Sequence, residues 1–353
     1  MALMIAVDGN SLIHRNYHAL AGSGLRTESG EPSWAVKGFW NQLLACVDRV
    51  GADHVLVAFD SAKTLRAEEY SQYKAGRAKK DPDLIAQLQS APGHLAAAGL
   101  HVVMVEGYEA DDVVASAARR NTDEGAQTVI VTCDRDAFSL INTTTKVLRI
   151  INGGVDASPL LDSEKLRTLV GVRPDQYRLY AALRGDTSDN LPGVLGVGPK
   201  TAVKLLNGLD ERGLNLTQAL VEHDAGGNVL VDVVGKTMAA KFNDLAKTNL
   251  ERNMHMMAQH TELDVGDLSS ASLPLDADIL DSELQAWGLL SIQAEATRVL
   301  TDATPVQVQD EPYDFGPIPD DDFFFAETPS PGRILHVKPP AKPSTETYQP
   351  GLF

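Results

Sequence analysis

Cysteine is almost absent from the chain: Cys46 and Cys133 are the only two in 353 residues. That excludes a disulfide framework or a thiolate cage for zinc, and both side chains read as small buried apolar groups in a reducing compartment. Positive charge is also short, with 31 lysines and arginines against 48 acids and a net charge of −17. Such a chain cannot hold a polyanion through a global basic field, so any nucleic-acid partner has to be met by local basic patches. The deficit is uneven. From Thr301 onward nine acids face three bases, so that segment carries −6 and the remainder −11. Long apolar runs are missing as well. The opening MALMIAVDGN has no basic n-region, its apolar run stops at Asp8, and no later stretch is long enough to span a bilayer. These absences set the expectation of a cytoplasmic protein with no membrane contact. There is also no Ser-His-Asp order, no Walker-type phosphate loop, no Cys/His zinc spacing and no internal repeat.

Apolar residues make up 43%, enough for a well-buried core over most of the length. Short apolar runs ending in a carboxylate recur in the first half: Leu3 to Val7 before Asp8, Val55 to Phe59 before Asp60, and Thr128 to Thr132 before Cys133 and Asp134. A fourth run, His101 to Val105, precedes Glu106. Helical patterns such as Ala35 to Val50 and Asp111 to Arg120 lie between them, which predicts an α/β fold with a mostly parallel central sheet flanked by helices. Sites in such sheets lie at the carboxyl ends of the strands, where three of these four runs deliver an aspartate. The expected division is an α/β core over residues 1–162, a helical region over 163–300, and a disordered acidic, proline-rich tail over 301–353.

Nine carboxylates stand in compact groups: Asp8; Asp60; Glu109, Asp111 and Asp112; Asp134 and Asp136; Asp186 and Asp189. In GYEADDVVASAA the acids fall where a helix begins, so the helix dipole favours them and one turn can aim several at one point. So many acids in one pocket need cations, because like charges raise each other's pKa. Hard oxygen donors suit magnesium or manganese, and two ions about 4 Å apart can clamp both oxygens of a phosphodiester displacement. Any one strand-end aspartate can be a simple helix cap; nine together are poorly explained that way.

From Lys63 through Lys80, KTLRAEEYSQYKAGRAKK, there are six basic and two acidic residues. On a helix, Arg66, Tyr70, Tyr73 with Lys74, and Arg77 form one stripe, with Lys79 and Lys80 beyond it. Basic heads bind phosphate and tyrosines stack on unpaired bases. A solvated amphipathic helix would look the same taken alone. Further on, GVLGVGPKTA places Gly193, Gly196 and Gly198 before Pro199 and Lys200 at a helix start, a turn able to offer backbone N–H groups to a phosphate without reading bases.

Taken in order, VDGNSLIHRNYHAL, VAFDS, YKAGR, GYEADDVVAS, VTCDRDAFSLI, VRPDQY and GDTSDNLPGVLGVGPKTAVKLL resemble the 5′ nuclease family. That family comprises 5′-3′ exonucleases, flap endonucleases and the N-terminal domain of bacterial DNA polymerase I. The likeness spans residues 1 to about 210 and continues more weakly to about 290. It implies a PIN-like nuclease fold with a helical arch at about residues 63–90, and a helix-hairpin-helix that grips duplex DNA. It further implies that all nine acids ligate two magnesium ions, with manganese able to substitute. By the same likeness, Lys74 and Arg77 steer the scissile phosphate, Arg15 is an active-site arginine, Tyr73 stacks on a base, and the turn from Gly193 to Gly198 can hold potassium. Leu65-Arg66 stands where the family often has Phe-Arg. With no polymerase domain following, the expectation is a free-standing, monomeric nuclease acting on 5′ flaps, nicked or blunt duplex and RNA-DNA hybrid.

The terminal QPGLF, with Gln349, Leu352 and Phe353, resembles the peptide that docks on bacterial sliding clamps, and DDDFFF at 320–325 faintly resembles the tails of single-strand-binding proteins. Three rival readings fit the sequence less well. A PIN-like ribonuclease shares the acidic site but is shorter and lacks the glycine hairpin. A clamp-recruited DNA scaffold would have lost some acids. A phosphoacceptor site leaves the basic stripe unexplained.

Overall fold

The structure, a computed structural model, describes residues 2–302. The tail, QPGLF with Gln349, Leu352 and Phe353, and DDDFFF lie outside the described residues.

Strand β1 is Leu3–Asp8 and is buried along almost its whole length. Its run is continuously aliphatic rather than alternating, as a strand covered on both faces must be. It lies between β2 (His54–Ala58) and β4 (Gln127–Thr132), parallel to both, with Ile5 opposite Val55 and Val129. β3 (His101–Val103) and β5 (Thr145–Arg149) extend the two sides in parallel, and β6 (Leu160–Leu161) adds an antiparallel edge. The order β3-β2-β1-β4-β5-β6 therefore reverses direction at β1, and the crevice beyond the carboxyl ends of β1, β2 and β4 is the natural site of a doubly wound sheet.

Helices α1 (Gly9–Leu20) and α2 (Trp34–Val50) pack over β1 with Leu12, Phe39, Trp40 and Leu43 fully buried. The segment expected as a helical arch is not one continuous helix. It forms a short α3 (Leu65–Glu69), leaves helical geometry at Tyr70, runs through turns past Arg77, and re-enters a helix only at α4 (Pro82–Ala97). Tyr70 is extended (φ −132°, ψ 94°) and Lys74 has φ +56°, so the i, i+4, i+7 stripe of Arg66, Tyr70, Tyr73 and Arg77 does not form. Tertiary bonds fix this path: Lys74 N donates to Asp189 O at 3.1 Å and Asn190 Nδ2 to Gln72 O at 2.9 Å. α5 (Ala110–Asp123) then covers the sheet on the other side of the acids.

After β6 the chain builds α6 (Ser163–Val170), α7 (Pro174–Arg184), α8 (Pro199–Asp210), α9 (Leu216–Asp224), α10 (Val229–Val234), α11 (Lys236–Ala239) and α12 (Asp244–Met256). α7 and α8 with the 185–198 connection are the expected helix-hairpin-helix. The last two helices, α13 (Ala277–Ala286) and α14 (Leu290–Thr301), do not stay with that region. Their Leu280, Leu284, Leu289, Ile292, Ala296 and Leu300 belong to the same buried cluster as β1, α1, α2 and α4. A polar seam pins the return: Trp40 Nε1 donates to His94 Nε2 at 2.9 Å, and His94 Nδ1 stands 2.8 Å from Glu283 Oε1 on α13. The expected boundary at residues 162/163 thus opens an excursion whose return begins near residue 258, where Ala258 O accepts Arg66 Nη2 at 2.9 Å, and continues to residue 273, where Leu273 N donates to Asp53 O at 2.8 Å.

Candidate active site

The acids stand at strand ends or helix starts, apart from Asp189, which lies in the turn after Asp186. Asp8 ends β1 and caps α1, accepting Ser11 N at 2.9 Å and Thr132 Oγ1 at 2.9 Å. Burial pushes its pKa up to about 7, with Asp60 and Asp134 adding to the rise. Asp60 follows β2. It accepts Ala110 N at 2.9 Å at the start of α5, and exchanges two bonds with Asn10, at 2.8 and 2.9 Å. Asp60 is also raised, by burial first and then by Glu109. Asp134 is exposed past β4, its Oδ1 accepting Asp136 N at 3.0 Å. Asp136 is raised by burial and then by Asp134, Asp186, Asp189 and Asp111, so acids from three segments share one field. Asp186 folds onto its own loop, accepting Ser188 N at 2.7 Å and Asp189 N at 3.2 Å.

Cations from the 66–77 segment meet this field. Arg66, expected on a DNA-facing stripe, is buried and bonds Glu109 (3.0 Å), Asp111 (3.2 Å) and both oxygens of Asp112 (2.6 and 2.9 Å). Burial works against its charge, but those three carboxylates outweigh it. Lys74 Nζ reaches Glu109 Oε1 at 2.7 Å, and Arg77 pairs with Asp189. Glu109 is consequently lowered: burial would raise it, but Lys74, Arg66 and the Tyr73 hydroxyl, 3.0 Å away, prevail. Asp189 stays raised, because burial exceeds the pull of Lys74 and Arg77.

Several expected residues stand elsewhere than anticipated. Tyr73 is buried with its hydroxyl on Glu109, so it is not presented for stacking. Tyr70 lies under the Arg252 guanidinium, 4.9 Å from its ring centroid. Arg15 turns from the acids and donates to Ile151 O (2.6 Å) and Asn152 Oδ1 (3.1 Å). Lys79, Lys80 and Lys200 are exposed. Gly193 serves packing rather than phosphate approach, since a Cβ there would stand 2.4 Å from Gly185 N. Gly196 (φ +84°) is exposed beside Leu195 at the turn, Val197 after it is buried, and Gly198 is half-buried where α8 begins. Three residues went unread in the sequence. Asn10 and Thr132 orient Asp60 and Asp8. His14, held down to about 4 by burial and by Lys80 and Arg77, lies in the field of the basic segment. Asn10 had a signal, its place two residues past a strand-end aspartate; the other two had none.

Among the described residues, no three His, Cys, Asp or Glu side chains are arranged to hold a metal ion as they stand. The donor chemistry nevertheless fits hard divalent cations: it is all oxygen, and burial leaves Asp8, Asp60 and Asp136 short of positive charge. Arg66, Lys74 and Arg77 hold Glu109, Asp112 and Asp189, and Arg66 also reaches Asp111 Oδ1, whose side chain stays 35% exposed.

A doubly wound sheet with this acidic crevice and a helix-hairpin-helix defines a nuclease-type architecture. Residues 3–171 match the family described as 5'-3' exonuclease, N-terminal resolvase-like domain, and residues 172–267 match 5'-3' exonuclease, C-terminal SAM fold. The chain belongs to the 5'-3' exonuclease family. It is 41% identical over 206 residues to DNA polymerase I of Chloroflexus aurantiacus, covering 58% of this chain and 22% of that one. It is 44% identical over 204 residues to the thermostable DNA polymerase I of Thermus aquaticus, covering 58% and 23%. The chain thus spans under a quarter of the length of either relative. Among solved structures, bacteriophage T5 5'-exonuclease with bound divalent zinc superposes with a TM-score of 0.58 at 19% identity, covering 83% of this chain and all of the other. The catalytic core of Rad2 in complex with DNA substrate gives 0.53 at 17%, covering 85% and 91%. These likenesses place the fold.

Proposed function

We propose that the chain hydrolyses DNA phosphodiesters near 5′ ends, flaps and nicks, using two magnesium ions with manganese able to substitute, in replication and repair. One observation carries the reading: the carboxyl ends of β1, β2 and β4 and the start of α5 bring Asp8, Asp60, Asp134, Asp136 and Asp111 into one field, with Lys74 and Arg77 at its rim. The same fold carries divalent ions in the T5 protein and DNA in the Rad2 core, which supports both halves of the reading. When bound, such ions supply an activated water and a polarised phosphate. The carboxylates hold the ions. Lys74 and Arg77, both partly exposed, offer charge to the phosphate oxygens as they become more negative. The turn at Gly196 and Gly198 and Lys200 on the first turn of α8 bind duplex backbone without reading bases, and the turn's carbonyls suit a potassium ion.

The test is cleavage of a 5′-labelled flap duplex with and without magnesium, with Asp134→Asn as control. Magnesium-dependent cuts near the junction, lost in the variant, support the reading; flap binding with no cutting by the wild type overturns it. For the terminal QPGLF we propose a sliding-clamp contact. Removing Gln349 to Phe353 abolishes clamp binding and leaves cleavage intact, and equal clamp affinity of the shortened chain refutes it.

A further inference from the structure

We infer that Arg66 is a positioning residue of the acidic site rather than a DNA contact: its guanidinium locks Asp112 and Glu109 so that Asp111 is the acid of that group presented to an ion. The inference rests on the metal-nuclease reading above.

Asp112 is fully committed to the protein. Oδ1 accepts Arg66 Nη2 at 2.6 Å and His260 N at 2.9 Å, while Oδ2 accepts Arg66 Nη1 at 2.9 Å and Glu109 N at 3.2 Å. Two bonds to each oxygen use all the lone-pair positions of a carboxylate. Asp112 is therefore an anchor, with a side chain 2% exposed, whereas the Asp111 side chain beside it is 35% exposed and meets Arg66 through Oδ1 alone, at 3.2 Å, the longest of the arginine's carboxylate bonds. Arg66 itself is 7% exposed and also donates to Ala258 O at 2.9 Å, so no polymer phosphate reaches it. The basic heads that solvent and a phosphate can reach are those of Lys74 and Arg77, paired with Glu109 and Asp189 but with side chains 27% and 49% exposed.

The geometry ties three separate segments at one point. α3 brings Arg66, the first turn of α5 brings the acids, and residues 258–263 run beside α5, with Ser116 Oγ donating to His260 O at 3.0 Å and accepting Leu263 N at 3.1 Å. Arginine is needed because only its planar fork bonds both oxygens of Asp112 at once; an ammonium is a point charge. Partners that orient metal ligands typically change metal affinity 10–100-fold when removed.

The test is Mn2+ titration calorimetry on Arg66→Gln and Arg66→Lys beside the wild type, with flap-DNA affinity measured in EDTA over a range of salt. We expect Mn2+ to bind at least about tenfold more weakly to Arg66→Gln, with Arg66→Lys recovering part of the loss. Flap affinity and its salt slope stay within about threefold of wild type. If Arg66→Gln does not fold, Arg66→Lys alone carries the comparison. Wild-type Mn2+ affinity in the variants overturns the inference while leaving the nuclease reading intact, and weakened DNA binding with a shallower salt slope would assign Arg66 to the DNA instead. A wild type that takes up no Mn2+ overturns both.

Discussion

The crossing of Gly185 and Gly193 is the tightest backbone approach in the helix-hairpin-helix, and Gly193→Ala tests it. A methyl at 193 would lie 2.3 Å from the carbonyl carbon of Arg184 and 2.4 Å from Gly185 N. Both neighbours are backbone, so no rotamer change relieves the overlap, and the end of α7 has to part from the turn. That separation strains the Val194 N to Leu183 O bond (2.9 Å). It also strains the two bonds of buried Asn253, whose Nδ2 donates to Ala182 O at 3.1 Å and Pro192 O at 3.0 Å. Overpacking costs about 1–3 kcal/mol, and an unsatisfied buried amide about 1–3 kcal/mol more. The sum is a loss of roughly 2–6 kcal/mol. Gly198→Ala is the control: nothing lies within 4 Å of its Cβ and its φ is −94°, so it loses under about 1 kcal/mol as a poorer helix cap. Urea unfolding followed by circular dichroism measures both, and nicked-duplex affinity in EDTA follows the hairpin. A Gly193→Ala midpoint equal to that of Gly198→Ala would refute the crossing as described.

Asp8→Asn should stabilise the protein in EDTA at pH 8 by roughly 1–4 kcal/mol while abolishing metal-dependent cleavage. The folded pKa of Asp8 is raised to about 7, so the folded state binds the extra proton and stability falls as pH rises toward 7; equal or lower stability of the variant in thermal melts counts against this. Lys74→Ala should lower kcat by about 10²–10³ in single-turnover cleavage with flap binding largely kept, and an unchanged rate would remove Lys74 from the reaction. His94 is held neutral by burial, its folded pKa lowered below the usual 6.5. As pH falls below 6.5 the unfolded chain takes up the proton first and stability declines. His94→Gln keeps an acceptor for Trp40 without titrating, so its melting temperature should fall less between pH 6.5 and 5; parallel slopes would refute the seam's part in acid sensitivity.

The sheet and its acidic edge were legible because β1, β2 and β4 are aliphatic runs that stop at a carboxylate, and a covered strand can stop in no cheaper way than at its solvent-facing end. The helical stripe over 66–77 fails to form for a physical reason. Helical periodicity over 66–77 is a local signal, but the chain there is set by bonds to Asp189 and Asn190 more than a hundred residues away, which hold Lys74 at positive φ. The stripe placed Arg66 beside phosphate; its burial follows from three acids 43–46 positions on, a meeting that no spacing announces. The amphipathic patterns of α13 and α14 marked helices correctly but could not say which surface they cover.

That last feature bears on synthesis. The hydrophobic faces of α2 and α4 are completed by Leu280, Leu284, Ile292 and Leu300, which leave the ribosome after every strand and after the whole helix-hairpin-helix excursion. A nascent chain stalled near residue 267 therefore carries a finished sheet and an open apolar seam around Trp40 and His94. Closure of the core therefore waits for α14, which follows every acid of the crevice along the chain.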